Sequence, residues 1–519
     1  MFELLLSGFA TILEPSNFIY LLVGVTAGLI LGAIPGLTAT MAIALIIPLT
    51  YYMNPVQAFT MIMGAFNGGT FGGSISAVLI GTPGTPAAAA TVADGFRLAL
   101  KGQGGKAIKM ALYASVTGCL FSCIVLISVA EPIARYALNF GPPEYTVLMV
   151  FSLTIIGSAS GESIIKGMIG GVFGLLFGIV GLDLFMSVPR FTFGISYLSG
   201  GINLIVMLIG SLAFSEILIQ IESVARGKTT GHLPPPSKKS DSYLLFSEYI
   251  ANFKTILRSS FLGCGIGALP GLGSTLAAYV GYDMAKRNSK KPEEFGTGTL
   301  EGVAAAEAAN NAVCGANLIP LLALGVPGDA VAAILIGAFM IQGLTPGPLI
   351  FREAPDVVAG LYAGLILSNL LLVVVTYAFV RVFTRIGQLK TTIIFPCVIA
   401  FCFIGVYGMG QNSVDLWVML VFAVIGYFMA KFNYYPATMM IGFILSPLFE
   451  ENFRQSLIIS KHSYAIFFQS YICIFFWLIT AYSLYTILRA KHRRMKEAEL
   501  LEEMAEVADT QPVEKTTNV

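Results

Sequence analysis

The chain has 519 residues, of which 56% are hydrophobic and only 11% charged, with a mean hydropathy of +0.80. Soluble domains are about 25% charged, so this composition excludes a water-soluble globule of this size, and with it collagen, disorder and a disulfide scaffold. Lys+Arg 30 against Asp+Glu 29 leaves a net +1, which gives no basic surface for nucleic acid.

The N-terminal stretch MFELLLSGFATILEPSNF carries Glu3, neither Lys nor Arg, and no A-x-A-like site. It does not read as a signal peptide and is expected to be retained. Apolar runs then predict helices at 18–34, 40–52, 107–129, 145–160, 163–187, 200–221, 256–283, 356–383, 391–410, 414–432, 435–449 and 463–488. A full crossing takes about 20 residues. The fold class expected is an all-α polytopic membrane protein of about 10–12 transmembrane helices.

Two stretches, 64–95 and 296–348, are rich in Gly, Ala, Pro, Ser, Thr and Asn yet almost free of charge. Irregular backbone survives in a bilayer only where protein or a wet cavity satisfies it. Both are therefore expected to be re-entrant or broken-helix hairpins. The glycine run at 167–181 reads only as a helix-packing surface. The seven cysteines lie in apolar or Gly/Ala-rich stretches with no CxxC, and the three histidines are far apart; no metal site or cofactor is expected. There is no Walker A motif.

Residues 226–248, with three successive prolines and two adjacent lysines, read as a solvated connection. They divide the chain into a first membrane repeat (1–225), a cytoplasmic linker (226–255), a second membrane repeat (256–488) and a tail (489–519). The tail opens RAKHRRMK, and basic residues beside the last span argue for a cytoplasmic C-terminus.

The halves are related. Gly32-Ala33-Ile34-Pro35-Gly36-Leu37 returns 235 residues later as Gly267-Ala268-Leu269-Pro270-Gly271-Leu272. Gly81-Thr82-Pro83-Gly84 returns 244 residues later as Gly325-Val326-Pro327-Gly328, and at that offset Asn67 falls on Asn311. The basic segment follows the second motif in the first half (Arg97, Lys101, Lys106, Lys109) but lies between the motifs in the second (Lys286, Arg287, Lys290, Lys291). Equivalent loops on opposite sides are what inverted-topology repeats give, provided 256–283 is broken at its Pro-Gly.

Paired broken helices at mid-bilayer suit transport. Half-helix N-termini offer unpaired N–H groups to an anion, and unwound carbonyls offer oxygens to a cation. The expected substrate-binding set is Pro35, Gly36, Asn67, Ser74, Thr82, Pro83, Gly84, Thr85, Pro270, Gly271, Asn310, Asn311, Pro327 and Gly328, with Asp329 and Asn317 toward a cation. Asn67 and Asn311 have the alternative of capping helix ends, and Asp329 that of an N-cap. Glu301 and Glu307 are intramembrane acids with either pairing or site roles open to them. An ion gradient, Na+ or H+, is the expected energy source.

The residues resemble a known family. GAIPGLTATMAIALIIPLTYYMNP and GGTFGGSISAVLIGTPGTPAAAATVADGFRLALKGQGGKA are similar to the first signature of the large membrane subunit of tripartite tricarboxylate transporters; GALPGLGSTLAAYVGYDMAKRNSKKPEEFGTGTLEGVAAAEAANNAVCGANLIPLLALGVPGDAVAAILIGAFMIQGLTPGPLIF is similar to its second. The resemblance runs from about residue 20 to 450. It implies a bacterial inner-membrane protein, not an enzyme, that works with a small four-helix membrane subunit and a periplasmic solute-binding protein to import an organic carboxylate on a cation gradient. The signatures fall on Pro35-Gly36, Gly72-Gly73-Ser74, Thr82 to Pro86, Asp94-Gly95, Pro270-Gly271, Glu301-Gly302, Glu307, Asn310-Asn311 and Pro327-Gly328. The family pattern has serine after the second Pro-Gly, where this chain has Asp329.

Two rivals remain at this point. Asp283 and Asp329 faintly resemble the pair of an intramembrane aspartyl protease, although Val326 stands where that motif needs glycine. A passive anion channel or exporter would need neither a coupled ion nor a binding protein.

Overall fold

The computed structural model describes residues 2–159, 164–226, 243–386 and 391–485. Most of the expected linker and the whole of the expected tail lie outside the described residues.

The first half contains α1 (Phe2–Leu13), α2 (Pro15–Ala33), α3 (Ala39–Ile46), α4 (Pro55–Ile80), α5 (Ala89–Leu100), α6 (Gly104–Ala137), α7 (Pro142–Ala159) and α8 (Ile164–Gly178), then α9 (Leu204–Leu208) and α10 (Ser215–Ala225) joined through a π-helical turn. The second half contains α11 (Phe246–Gly267), α12 (Gly273–Asn288), α13 (Leu300–Ala316), α14 (Leu318–Leu324), α15 (Ala330–Ile341), α16 (Ile350–Glu353), α17 (Pro355–Ile386), α18 (Thr391–Gly410), α19 (Ser413–Lys431) and α20 (Pro436–Ile459). An apolar helix, α21 (Tyr471–Tyr485), closes the described chain.

Among the described residues, five helical segments are long and apolar enough to cross a membrane: Pro15–Ala33, Gly104–Ala137, Leu204–Ala225, Pro355–Ala378 and Ser413–Lys431. Shorter apolar helices surround them. Large apolar side chains such as Ile124, Phe173, Val374, Ile404 and Trp417 stand on the outer faces, where only a bilayer or a partner would remove them from water. The chain is an all-α polytopic membrane protein.

Three expectations change. The run at 163–187 does not stay helical. α8 stops at Gly178, and a two-residue antiparallel ladder follows, β1 (Gly181–Leu182) with β2 (Pro189–Arg190). In the turn between the two strands the Asp183 carboxylate accepts from the amides of Phe185 and Met186. The linker ends earlier than 255, because α11 already begins at Phe246, where the Glu248 side chain caps the Leu245 amide. The stretches 64–95 and 296–348 are not simple hairpins. α4 runs unbroken for 26 residues through Asn67, and the interruption comes only after Gly81. Its glycines are packing notches rather than breakers.

Those notches let helices touch backbone to backbone. Gly24, Gly28 and Gly32 of α2 meet Met61, Ala65 and Gly69 of α4, while Gly64, Gly68 and Gly72 of α4 meet α2 between Leu21 and Ala33. The partner numbers rise together, so α2 and α4 are parallel, and α3 must turn back from the Pro35-Gly36 tip. The second half repeats this: Gly263 meets Ala309 and Gly267 meets Val313, so α11 lies parallel to α13 and α12 folds back. Between halves the direction reverses. Ser74 bonds Glu307 and Thr70 receives the Cys314 thiol, so α4 and α13 are antiparallel. Matching glycines adopt matching left-handed backbones: φ is 87° at Gly36 and 89° at Gly271, 72° at Gly81 and 73° at Gly325. Each half also lends its long helix to the other. α6 packs along α13 (Gly118 on Ala308), and α17 along α4 (Gly364 on Thr60).

Candidate functional site

The four chain breaks converge on one cavity of about 490 Å³, a volume ordinary for a small-molecule site. After Pro35-Gly36 come Thr38, Ala39 and Thr40; after Pro83-Gly84 come Thr85, Pro86 and Ala87; after Pro270 come Gly271 to Thr275; after Pro327-Gly328 come Asp329 to Val331. All of these line it. Each break therefore ends in the N-terminus of a helix that starts at the cavity wall.

The reason is local. Proline has no N–H to continue a helix, and a glycine takes the left-handed turn at each break, Gly36 and Gly271 after the proline, Gly81 and Gly325 before it. At three of the four breaks a capping side chain then starts the next helix, while α12 begins without one. Thr38 accepts from the Met41 amide at 3.2 Å, Thr85 from the Ala88 amide at 3.3 Å and Asp329 from the Ala332 amide at 2.9 Å. The two breaks of the second half are also tied together, the Gly271 N–H donating to the Gly328 carbonyl at 2.5 Å. A side chain at Gly84 would crowd Gly73 and Ser76.

Of the expected substrate residues, the structure brings Thr85, Gly271 and Asn310 to the cavity, together with Asp329. Asn310 is fully buried, and neither of its amide atoms makes a hydrogen bond within the protein. Pro35, Gly36, Thr82, Pro83, Gly84, Pro270, Pro327 and Gly328 shape the breaks but do not line the cavity. Gly36 leaves room for the Gln220 side chain.

Asn67, Ser74, Asn311 and Asn317 are placed elsewhere. The Asn67 amide donates to the Leu365 carbonyl at 3.1 Å and to Ser368 at 2.5 Å, within the α4–α17 contact. Ser74 donates to Glu307 at 2.7 Å. Asn311 donates to Ser115 at 2.8 Å and to the Glu307 carbonyl at 3.0 Å. Asn317 lies behind the cavity and donates to Asp329 at 3.0 Å. Asn67, Ser74 and Asn311 are engaged inside the helical bundle because they sit within α4 and α13 rather than at their ends, whereas Asn317 sits at the junction of α13 and α14 with its side-chain carbonyl oxygen unpaired. The repeat offset correctly paired Asn67 with Asn311, but pairing by offset carries no information about which face a side chain takes.

Sequence reasoning missed part of the wall. Ser211, Ser215 and Glu216 come from the α9–α10 segment, and Tyr434, Tyr435 and Thr438 from the start of α20. Glu216 had a signal, as a carboxylate in an apolar run; the tyrosines had none. No Lys or Arg is among the lining residues, and the acids there are Glu216 and Asp329. Asp283 is not among them; it is exposed and pairs with Arg287 at 2.7 Å. The two aspartates needed for a protease do not meet at this cavity.

Two buried acids hold the halves together behind the cavity. Asp94, on α5, accepts from the amides of Gly296, Gly298 and Thr299 at 2.9, 2.8 and 3.0 Å and from the Tyr282 hydroxyl at 2.8 Å. Glu307, on α13, accepts from Ser74, Thr91 and Ser115 of α4, α5 and α6. Glu301 takes Thr255 at 2.8 Å and Ser289 at 2.7 Å at the start of α13.

A helical membrane protein with helix breaks in both halves around one cavity has the build of a transporter. Residues 18–441 match the tripartite tricarboxylate transporter TctA family, and the chain belongs to that family. It is a membrane component of a transporter. An uncharacterized 52.8 kDa protein from the TAR-I ttuC' 3' region of Agrobacterium vitis is 35% identical over 461 residues, 89% of this chain and 91% of that protein. An uncharacterized protein from the TAR-II ttuC' 3' region of the same organism is 38% identical over 205 residues, 40% of this chain and 85% of that protein. No solved structure matches the chain.

Proposed function

We propose that this chain is the large membrane subunit of a binding-protein-dependent secondary transporter that imports an organic di- or tricarboxylate across the bacterial inner membrane. The carboxylate sits in the cavity among the four helix N-termini, and a cation, Na+ or H+, travels with it. A small membrane subunit and a periplasmic binding protein complete the system, and the C-terminus is cytoplasmic.

The observation that carries this reading is the meeting of four helix N-termini at one cavity with an unpaired amide, Asn310, in its wall. The charge balance supports coupling. Four N-termini at about half a charge each amount to roughly +2. Glu216 and Asp329 offset that when ionised. A like-charge pair about 5 Å apart costs about 3 kcal/mol at an effective dielectric near 20. A multiply charged acid with no Lys or Arg in the wall thus needs a cation or proton beside it. The passive channel gives no reason for two carboxylates in an anion's path.

The test is uptake of labelled citrate, tartrate and succinate by cells producing the chain with its partner proteins, with and without sodium and across pH. Replacing Pro83-Gly84 or Pro327-Gly328 by Ala-Ala is expected to abolish uptake while the protein remains inserted. Normal uptake in either variant would overturn the reading.

A further inference from the structure

Glu307 and Asn310 lie one turn apart on α13, three residues being neighbours on a helix face. Glu307 is completely buried, and its hydrogen-bond partners are all neutral. The oxygens are held unequally. Oε1 accepts from Ser74 at 2.7 Å and from Thr91 in a closer contact. Oε2 has looser neighbours, Ser115 at 3.1 Å and the Asn311 amide at 3.4 Å. Asn310 is the fully buried amide in the cavity wall that hydrogen-bonds to nothing in the protein, although it lies within interaction range of Glu307.

Several titratable groups on the elements packed around α13 have partners of their own, whereas the buried Nε of Arg258 on α11 hydrogen-bonds to nothing in the protein. Asp94 of α5 binds the 296–299 loop and Tyr282 of α12; Glu301 binds Thr255 of α11. Asp283 of α12 pairs with Arg287, and Lys106 of α6 with Glu248 of α11. The thiol of Cys119 on α6 meets Asn369 and Asn67, Cys264 of α11 meets the Ala312 carbonyl, and Cys314 of α13 meets Thr70 of α4.

We propose that Glu307 is a proton-binding site of the transport cycle, and that its proton decides which end of the Asn310 amide faces the cavity. The proposal rests on the reading of that cavity as the carboxylate site. A carboxylate only accepts hydrogen bonds, whereas a carboxylic acid also donates one; an amide does both, from opposite ends. With Glu307 ionised, the Asn310 N–H2 donates to it and the carbonyl oxygen faces the cavity, which repels an anion. A hydronium ion of the cavity gives up one proton, which forms an O–H bond on Oε2, and is left as water. That O–H donates to the Asn310 carbonyl, the amide turns over, and its N–H2 faces the cavity as a donor to the substrate carboxylate. Returning the proton to water reverses the turn and weakens the site. The gain is reciprocal by linkage: substrate favours the proton as the proton favours substrate.

Two measurements on the purified full-length chain test this. The first needs no substrate. The infrared difference spectrum between acid and alkaline pH is expected to show the carbonyl band of a buried carboxylic acid, missing in Glu307→Gln. A band unchanged by that substitution, or no band at all, overturns the proposal. The second is citrate binding by calorimetry in buffers of different ionisation enthalpy. The wild type is expected to take up about one proton per citrate, its affinity falling about tenfold per pH unit on the alkaline side. Glu307→Gln, which keeps the shape and fixes a donor, is expected to bind with a flat pH profile, and Asn310→Leu to keep the infrared band but lose most of the slope. A full slope in Glu307→Gln overturns the proposal, and a full slope in Asn310→Leu removes the amide from it. If the band is present and citrate, tartrate and succinate all fail to bind, the carboxylate reading of the cavity fails while the proton site stands.

Discussion

Thr85 and Asp329 occupy one position in the two halves of the molecule: each follows a Pro-Gly pair, caps the helix that leaves it and lines the shared cavity. The half-molecules are thus symmetric in backbone and asymmetric in charge, with a hydroxyl on one side and a carboxylate on the other. Asp329 also holds Asn317, a contact that fixes its carboxylate beside the cavity.

That asymmetry is testable by making the caps alike. Asp329→Thr keeps a capping oxygen, and Asp329→Ala removes it. An N-cap lost to alanine costs about 1 kcal/mol. The alanine variant is expected to melt a few degrees lower than wild type, the threonine variant close to it, and both to change the cation or pH dependence of uptake. Equal melting with unchanged ion dependence in both would show that the carboxylate is only a cap replaceable by water.

The α2–α4 contact predicts a sharp glycine requirement. A methyl group at Gly28 would meet the Ala65 backbone rather than a movable side chain, whereas Gly265 on α11 faces open space. Forcing apart two packed backbones costs about 1–3 kcal/mol or more. Gly28→Ala is expected to lower the melting temperature and uptake, and Gly265→Ala to change neither. Gly170 would be a poor control, because the Thr438 hydroxyl already fills the space beside it.

Asp94 gives a stability prediction between the halves. Asp94→Ala leaves the amides of Gly296, Gly298 and Thr299 without their acceptor. An unsatisfied buried donor costs about 1–3 kcal/mol; these amides are partly exposed, so the lower end applies to each. Melting of the purified chain is expected to fall by several degrees, with faster proteolysis at 290–299. An unchanged melting curve would mean that this loop contributes little to holding α5 against α13.

Much of this architecture was readable because backbone chemistry leaves marks in sequence. The paired Pro-Gly breaks, their offsets and the hydroxyl that follows each of the first-half breaks all correspond to helix starts at one cavity. The side chains were harder. Asn67, Ser74 and Asn311 are polar residues in apolar surroundings, a pattern shared by ligand-binding groups and by buried groups that bond another helix. Only the facing residues decide between these, Leu365 and Ser368 for Asn67, Glu307 for Ser74 and Ser115 for Asn311, and each lies 196 or more positions away in the chain. Glu216 and Tyr435 reach the cavity for the same long-range reason. The end of α8 was misplaced because the residues after it are as apolar as the helix itself, and the Asp183 turn is a local event that hydropathy does not register.

That turn supports a final prediction. Asp183 joins Arg190, Glu450 and Arg454 in one ion-pair cluster, with Arg454 at 2.7 Å and Arg190 at 3.3 Å. It lies in the loop between α8 and α9. The Met186 amide, the Arg454 guanidinium and the Phe185 amide hold its carboxyl well below the usual carboxylate range. A depressed folded-state value means that the stabilisation is complete above the unfolded value, about 3.9, and is lost only as pH falls through the folded one. Protease cleavage within 181–195 is therefore expected to stay constant from pH 8 to about pH 5 in the wild type. Asp183→Asn keeps the size but loses the charge, and is expected to cleave faster across that whole range. A wild-type rate that rises steeply between pH 7 and 5 would show that a different group holds this loop to α20.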